Sequence, residues 1–162
     1  MVRVVKGDIT KLDCDAIVNA ANESLLGGGG VDGAIHAAAG PELLEACRAI
    51  GGCKTGQAVI TPGFALPADH VIHTVGPVWR GGLFEEPRLL TNAYENSFSL
   101  AQANGVKTIA FPCISTGIYG YPLEDACRIA VWVMQNFNEE FDQIIACCFN
   151  DETFTRYQEL IG

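Results

Sequence analysis

Apolar residues in this chain fall into short runs that alternate with stripes at helical spacing. Val2–Lys6, short and β-branched, predicts a first strand, broken by Gly7-Asp8-Ile9-Thr10. Ala16–Ala20 predicts a second strand, and its continuous apolar character predicts burial on both faces. A helix is expected from Pro41, with proline at its first position and Gly51-Gly52 at its far end. Ala58–Thr61 and Val71–Val75 predict two further strands, joined by the turn-rich Pro62–Asp69. After a loop at Gly76–Glu86, Pro87 opens a long helix to about Asn104. Its stripe is Leu90, Tyr94, Phe98 and Ala101, and Gly105 is its stop. Lys107–Phe111 and Gln143–Phe149 predict the remaining strands. Between them a helix starts at Pro122, with Ala126, Ile129, Ala130, Val133, Met134 and Phe137 on its core face. Phe154, Tyr157, Leu160 and Ile161 mark a closing helix. Strands that alternate with helices predict an α/β fold with a largely parallel sheet covered on both faces.

The stretch Val18–Gly40 carries the densest chemistry. A polar turn at Asn22–Ser24 follows the second strand. Four consecutive glycines, Gly27–Gly30, come next, and then a short helix carrying Asp32 and His36. Glycine is entropically costly to order, so such a run implies a need for bare backbone. Opening a helix, it offers unpaired N–H groups and a helix dipole to an anion. Asp32 and His36 stand four residues apart and share one helix face. A second candidate anion cradle is the strand–loop–helix at Ser115-Thr116-Gly117-Ile118-Tyr119-Gly120-Tyr121. Two familiar phosphate motifs fail. Gly52-Cys53-Lys54-Thr55 has cysteine where a P-loop needs glycine. Gly28–Gly33 satisfies G-x-G-x-x-G literally, but it does not follow its strand directly, and residues 48–53 hold neither an acid nor a strand.

Composition narrows the ligand. The chain has 162 residues, 49% hydrophobic and 18% charged, enough for one domain that buries a substantial core. Ten basic residues are scattered among nineteen acidic ones, for a net charge of −9. Binding a nucleic-acid polymer by phosphate neutralisation needs clustered Lys and Arg, so DNA and RNA are not expected partners. A phosphate would have to be held by backbone amides, which suits one small anion. The seven cysteines are odd in number, include no Cys-x-x-Cys pair and mostly sit in apolar runs. They read as free thiols in a reducing compartment, with no metal site expected. No apolar run approaches membrane-spanning length. The start of the chain turns polar at Gly7-Asp8 before a leader could develop, so the expected location is cytoplasmic and away from membranes.

Taken together, the motifs resemble the macrodomain family, the ADP-ribose-binding fold. They are Gly7–Thr10, Asn19-Ala20-Ala21-Asn22, Gly27–His36, Val71–Pro77 and Ser115–Pro122, in family order and covering essentially the whole chain. The spacing of Asn22 and Asp32 is most similar to the MacroD-type branch. The resemblance implies a single three-layer α/β/α domain over 1–162 with a mixed, largely parallel central sheet. It implies ADP-ribose and its esters as ligands, with no cofactor and no metal. The implied activity is hydrolysis of esters on the distal ribose: deacetylation of O-acetyl-ADP-ribose, and removal of mono-ADP-ribose from acidic side chains of modified proteins.

The resemblance also assigns roles. Asp8 accepts from the adenine amino group, a suitable pairing because a carboxylate can only accept, and the Ile9 amide meets a ring nitrogen. Considered alone, Asp8 reads equally as a simple cap of the next turn. Phe149 packs on the adenine face or is a core residue. Ser115, Thr116, Gly117, Ile118 and Tyr119 hold the diphosphate. Gly28, Gly29, Gly30 and Val31 lie beside the distal ribose, and Asn22 bonds its hydroxyls. Asp32 is the expected catalytic residue, either as base toward water or as an orienting group while a ligand phosphate is the base. Tyr119 closes over the site and positions the water. His36 holds Asp32 or is structural, and His73 reads as a bonded core histidine. Ala37 departs from the family, which commonly has a basic residue there. The competing function is a reader module that binds ADP-ribose without cleaving it.

Overall fold

The computed structural model describes residues 2–161; Met1 and Gly162, the ends of the expected 1–162 domain, lie outside the described residues. Six strands form one sheet: β1 (Val2–Lys6), β2 (Ala16–Ala20), β3 (Ala58–Pro62), β4 (His70–Thr74), β5 (Thr108–Phe111) and β6 (Gln143–Cys148). Their spatial order is β1-β6-β5-β2-β4-β3. All neighbours are parallel except β3, which runs antiparallel to β4. The sheet is therefore mixed and largely parallel. Five helices cover it: α1 (Gly30–Ala39), α2 (Pro41–Ile50), α3 (Glu86–Ala103), α4 (Leu123–Asn136) and α5 (Asp151–Ile161).

Strand periodicity divides the core in two. Ala16 and Val18 of β2, with Ile72, Ile109 and Ile144, bury against α3, α4 and α5, where Leu90, Tyr94, Phe98 and Met134 fill the interior. Ile17, with Val71, Ala110 and Ile145, buries against α1 and α2, where Ile35, Leu43 and Cys47 complete the second layer. Both faces are covered, as the continuous apolar runs predict. Strict alternation of strand and helix does not hold. The β3–β4 pair is linked by residues 63–69 with no helix, and only a 3-10 turn at Ile9–Lys11 lies between β1 and β2. A single apolar run cannot reveal its own direction in a sheet, so the antiparallel edge strand escapes sequence reasoning. Among the described residues, no helix is long and apolar enough to cross a membrane.

The parallel strands all point one way, and the loops leaving β1, β2, β5 and β6 meet beyond their C-terminal ends. Ligands bind in such a crevice in open α/β sheets.

Candidate active site

A cavity of about 720 Å³ opens at that edge. Four segments line it: Gly7–Ile9 after β1, Asn22 and Gly28–Asp32 between β2 and α1, Pro112–Tyr119 after β5, and Phe149 with Asn150 after β6. Every residue that the sequence nominates for ligand contact or catalysis lines this cavity, whereas His36, nominated to hold Asp32, stands outside it. Residues the sequence did not nominate line it too, among them Gly76, Cys113 and Glu152.

The loop after β1 shows how a cap and a ligand contact coexist. Asp8 caps the turn at Ile9–Lys11, its Oδ1 accepting from Thr10 N at 2.9 Å and from Thr10 Oγ1 at 2.6 Å. These two bonds, hydroxyl first and amide second, hold its carboxyl below the usual range. Oδ2 takes no part in the cap and remains available on an exposed carboxylate. Phe149 is 89% exposed, which removes the core reading of that residue.

In the second segment the Asn22 side chain organises its own loop. Its Oδ1 accepts from Ser24 Oγ at 2.7 Å and Leu25 N at 3.1 Å, and its Nδ2 donates to Gly27 O at 2.9 Å. One Nδ2 hydrogen is left over. Gly28 sits against both polar groups of the site. A Cβ there would lie 3.2 Å from Asp32 Oδ2 and 3.5 Å from Asn22 Nδ2, so its absence keeps the space before the carboxylate clear. Asp32 lies in the first turn of α1 and is 6% exposed. Asn19 Nδ2 donates to its Oδ1 at 2.7 Å. His36 Nε2 stands 3.5 Å from the same oxygen without completing a hydrogen bond.

The third segment is built from backbone. Ser115 adopts φ +70°, a left-handed conformation that costs a non-glycine residue about 1 kcal/mol. Gly120 N bonds Gly117 O at 3.0 Å and Tyr121 N bonds Ser115 O at 2.9 Å, closing the loop. The N–H groups of Thr116, Gly117, Ile118 and Tyr119 donate to no described residue. The end of β4 approaches this loop so closely that a Cβ on Gly76 would fall 2.1 Å from Ser115 Oγ. Neither that contact nor its partner is visible as a local pattern.

Tyr119 is braced from the side, where Trp79 N donates to its carbonyl at 2.9 Å. The Trp79 loop is itself pinned by the buried Glu86, whose carboxylate accepts from Arg80 N at 2.8 Å, Gly82 N at 3.0 Å and Phe84 N at 2.6 Å. Burial raises the Glu86 pKa, but these amides outweigh it and set it at about 2. The sequence reads Glu86 only as the end of a loop. Burial raises the Tyr119 pKa, and the negative Glu23 and Asp32 raise it further, so the phenol is a proton-bearing hydrogen-bond donor.

A carboxylate and an amide thus line the same cavity as four residues whose N–H groups have no acceptor among the described residues, together with an exposed aromatic and a second acid. Backbone amides without protein acceptors at a loop leading into a helix are chemically suited to an anion such as a diphosphate. The model of the Macro domain family matches residues 18–130, and the chain belongs to that family. It is 60% identical to a macro domain-containing protein of Ralstonia nicotianae, over 99% of this chain and 94% of that one. It is 53% identical to a Cronobacter turicensis protein named O-acetyl-ADP-ribose deacetylase, over 99% of this chain and 96% of that one. A Trypanosoma brucei macrodomain solved in complex with ADP-ribose superimposes with a TM-score of 0.93 at 46% identity, covering 99% of this chain and 69% of that one.

Proposed function

We propose that this protein is a hydrolase that binds ADP-ribose and cleaves esters on its distal ribose, with O-acetyl-ADP-ribose as a substrate. The observation that carries the reading is the pairing of Asp32 Oδ2 and Asn22 Nδ2 beside Gly28, in the same cavity as the free amides of 116–119. A diphosphate on those amides places the distal ribose between Asn22 and Asp32. The remaining Asn22 hydrogen bonds a ribose hydroxyl and fixes the sugar. Asp32 Oδ2 takes a proton from water as the water attacks the ester carbonyl. The acyl–oxygen bond then breaks, the ribose oxygen leaves and takes that proton back from Asp32, and the acyl group is released as the acid, which ionises to carboxylate. Tyr119, at the rim, positions the water. Asp8 and Phe149 take the adenine, the first by accepting from its amino group and the second by stacking. Ile9, Gly29, Gly30 and Val31 complete the wall.

The same chemistry releases ADP-ribose from an acidic side chain, since that linkage is also a carboxylate ester. Mono-ADP-ribosylated proteins are therefore included as substrates. The whole chain acts as one macrodomain in the cytoplasm, and its net charge of −9 argues against nucleic acid as partner.

The test is acetate release from O-acetyl-ADP-ribose by wild type and by Asn22→Ala/Asp32→Ala. Turnover is expected in the wild type and a loss of about 10²- to 10⁴-fold in the variant. ADP-ribose affinity in Asp32→Ala is expected to stay within about tenfold, or roughly 1.4 kcal/mol, by calorimetry. A wild type that binds ADP-ribose and releases no acetate would be a reader, and the hydrolase reading would be wrong.

A further inference from the structure

Behind the cavity a line of buried hydrogen bonds runs into the sheet. Asn19 of β2 and His73 of β4 are in register, so their side chains share the face covered by α1 and α2, and both are fully buried. Asn19 Nδ2 lies 2.7 Å from Asp32 Oδ1 and 3.1 Å from His73 Nδ1. A carboxylate only accepts, so one Nδ2 hydrogen goes to Asp32 and the other to His73. His73 Nδ1 is then an acceptor and the imidazole proton is on Nε2, a tautomer that the network assigns. Nε2 donates to Thr61 Oγ1 of β3 at 3.0 Å, with Cys47 Sγ at 3.9 Å. Burial, and next the neighbouring His36, push the His73 pKa down to about 4, in keeping with the neutral ring that this pattern requires.

We propose that Asn19 is a positioning residue for the hydrolysis, with His73 and Thr61 as its backing. It restrains Asp32 Oδ1 so that Oδ2 is the oxygen presented to the reacting water. Asn19 supplies the one hydrogen bond that the Asp32 carboxylate accepts from a described residue. His36, the neighbour that helix spacing nominates, does not supply one. Asp32 stands in the first turn of a helix that begins without a side-chain cap, after a glycine loop, so its own element does little to orient it. The restraint comes instead from β2, a strand paired on both sides within the sheet. His73 matters because it holds Asn19: it accepts the second Nδ2 hydrogen and so prevents the amide from turning its oxygen toward Asp32.

This inference rests on Asp32 as the catalytic carboxylate, and the experiment separates the two. Acetate release and ADP-ribose binding are measured for Asn19→Leu, Asp32→Ala and the double variant, with thermal melts as the check on folding. In Asn19→Leu, kcat is expected to fall about 100-fold while the Kd for ADP-ribose moves by less than about threefold. The double variant is expected to be no slower than Asp32→Ala alone, because Asn19 acts only through that carboxylate. Losses that multiply, an unchanged kcat in Asn19→Leu, or parallel losses of binding and turnover would overturn the proposal. Should Asn19→Leu not fold, the pair His73→Asn and His73→Leu decides. The asparagine oxygen can replace Nδ1 as acceptor and is expected to keep kcat nearer wild type, whereas equal kcat values would overturn the proposal. If Asp32→Ala alone keeps wild-type turnover, the Asp32 assignment itself is wrong, and that result is read independently of any Asn19 variant.

Discussion

Residues 22–33 and residues 115–121 each lead from a parallel strand into a helix, and each lines the same cavity, yet they are held by different means. In the first, side chains do the work. Asn22 makes three hydrogen bonds within its loop, and Asp32 is anchored from β2 through Asn19, with His73 behind. In the second, backbone does it. Ser115 is in a left-handed conformation, two main-chain bonds close the loop, and β4 approaches at Gly76 where no Cβ could fit. Side chains can carry a proton or fix a sugar hydroxyl, and amides can hold a diphosphate whatever their side chains are. On the proposed function, chemistry and anion binding are thus separable between the two loops.

A first way to break this comparison is acid. His73, which backs the first loop, is neutral in the fold, its pKa drawn from 6.5 to about 4 by burial and then by His36. Between those values the unfolded chain takes up a proton that the folded chain does not. Its contribution is therefore complete above pH 6.5, declines as the pH falls toward 4 and levels off below, a loss of roughly 3 kcal/mol. Chemical denaturation from pH 7 to pH 4 should show this component in wild type and not in His73→Asn. Superimposable pH profiles would show that burial leaves the ring free to titrate.

Gly117→Val addresses the second loop. A Cβ there meets nothing within 4 Å, so the fold has room for it, and Gly117 lines the cavity, where added bulk competes with a ligand. ADP-ribose affinity is expected to fall about 100-fold, or roughly 2.7 kcal/mol, with the melting temperature unchanged. Retained affinity would take residues 115–121 out of the binding site and leave the free amides without a purpose. The smallest expected effect lies outside both loops. Asp8→Ala removes a cap and is expected to cost about 1 kcal/mol of stability. It should also weaken ADP-ribose more than ribose 5-phosphate, and equal weakening would contradict the contact with adenine.

Much of this was readable along the chain, for a physical reason. Periodicity, capping and glycine content are local, so the strands, the helices and both loops follow from residues close in sequence. Asp32 and His36 share a helix face by spacing alone, and the wall residues of the cavity lie in the loops that the motifs mark. What local pattern cannot carry is who stands beside whom. Alternation says which face Asn19 and His73 point to, but only the β2–β4 register makes them neighbours and sets Asn19, in place of His36, on Asp32. The same limit hid the antiparallel β3, the contact of Gly76 with Ser115 and the grip of Glu86 on the Trp79 loop. It also left Phe149 open between core and surface until the end of β6 placed it at the rim. The elements and the chemical groups they carry are thus legible along the chain. The tertiary structure alone decided which groups meet, because hydrogen bonds between strands join residues that are 54 positions apart in the chain.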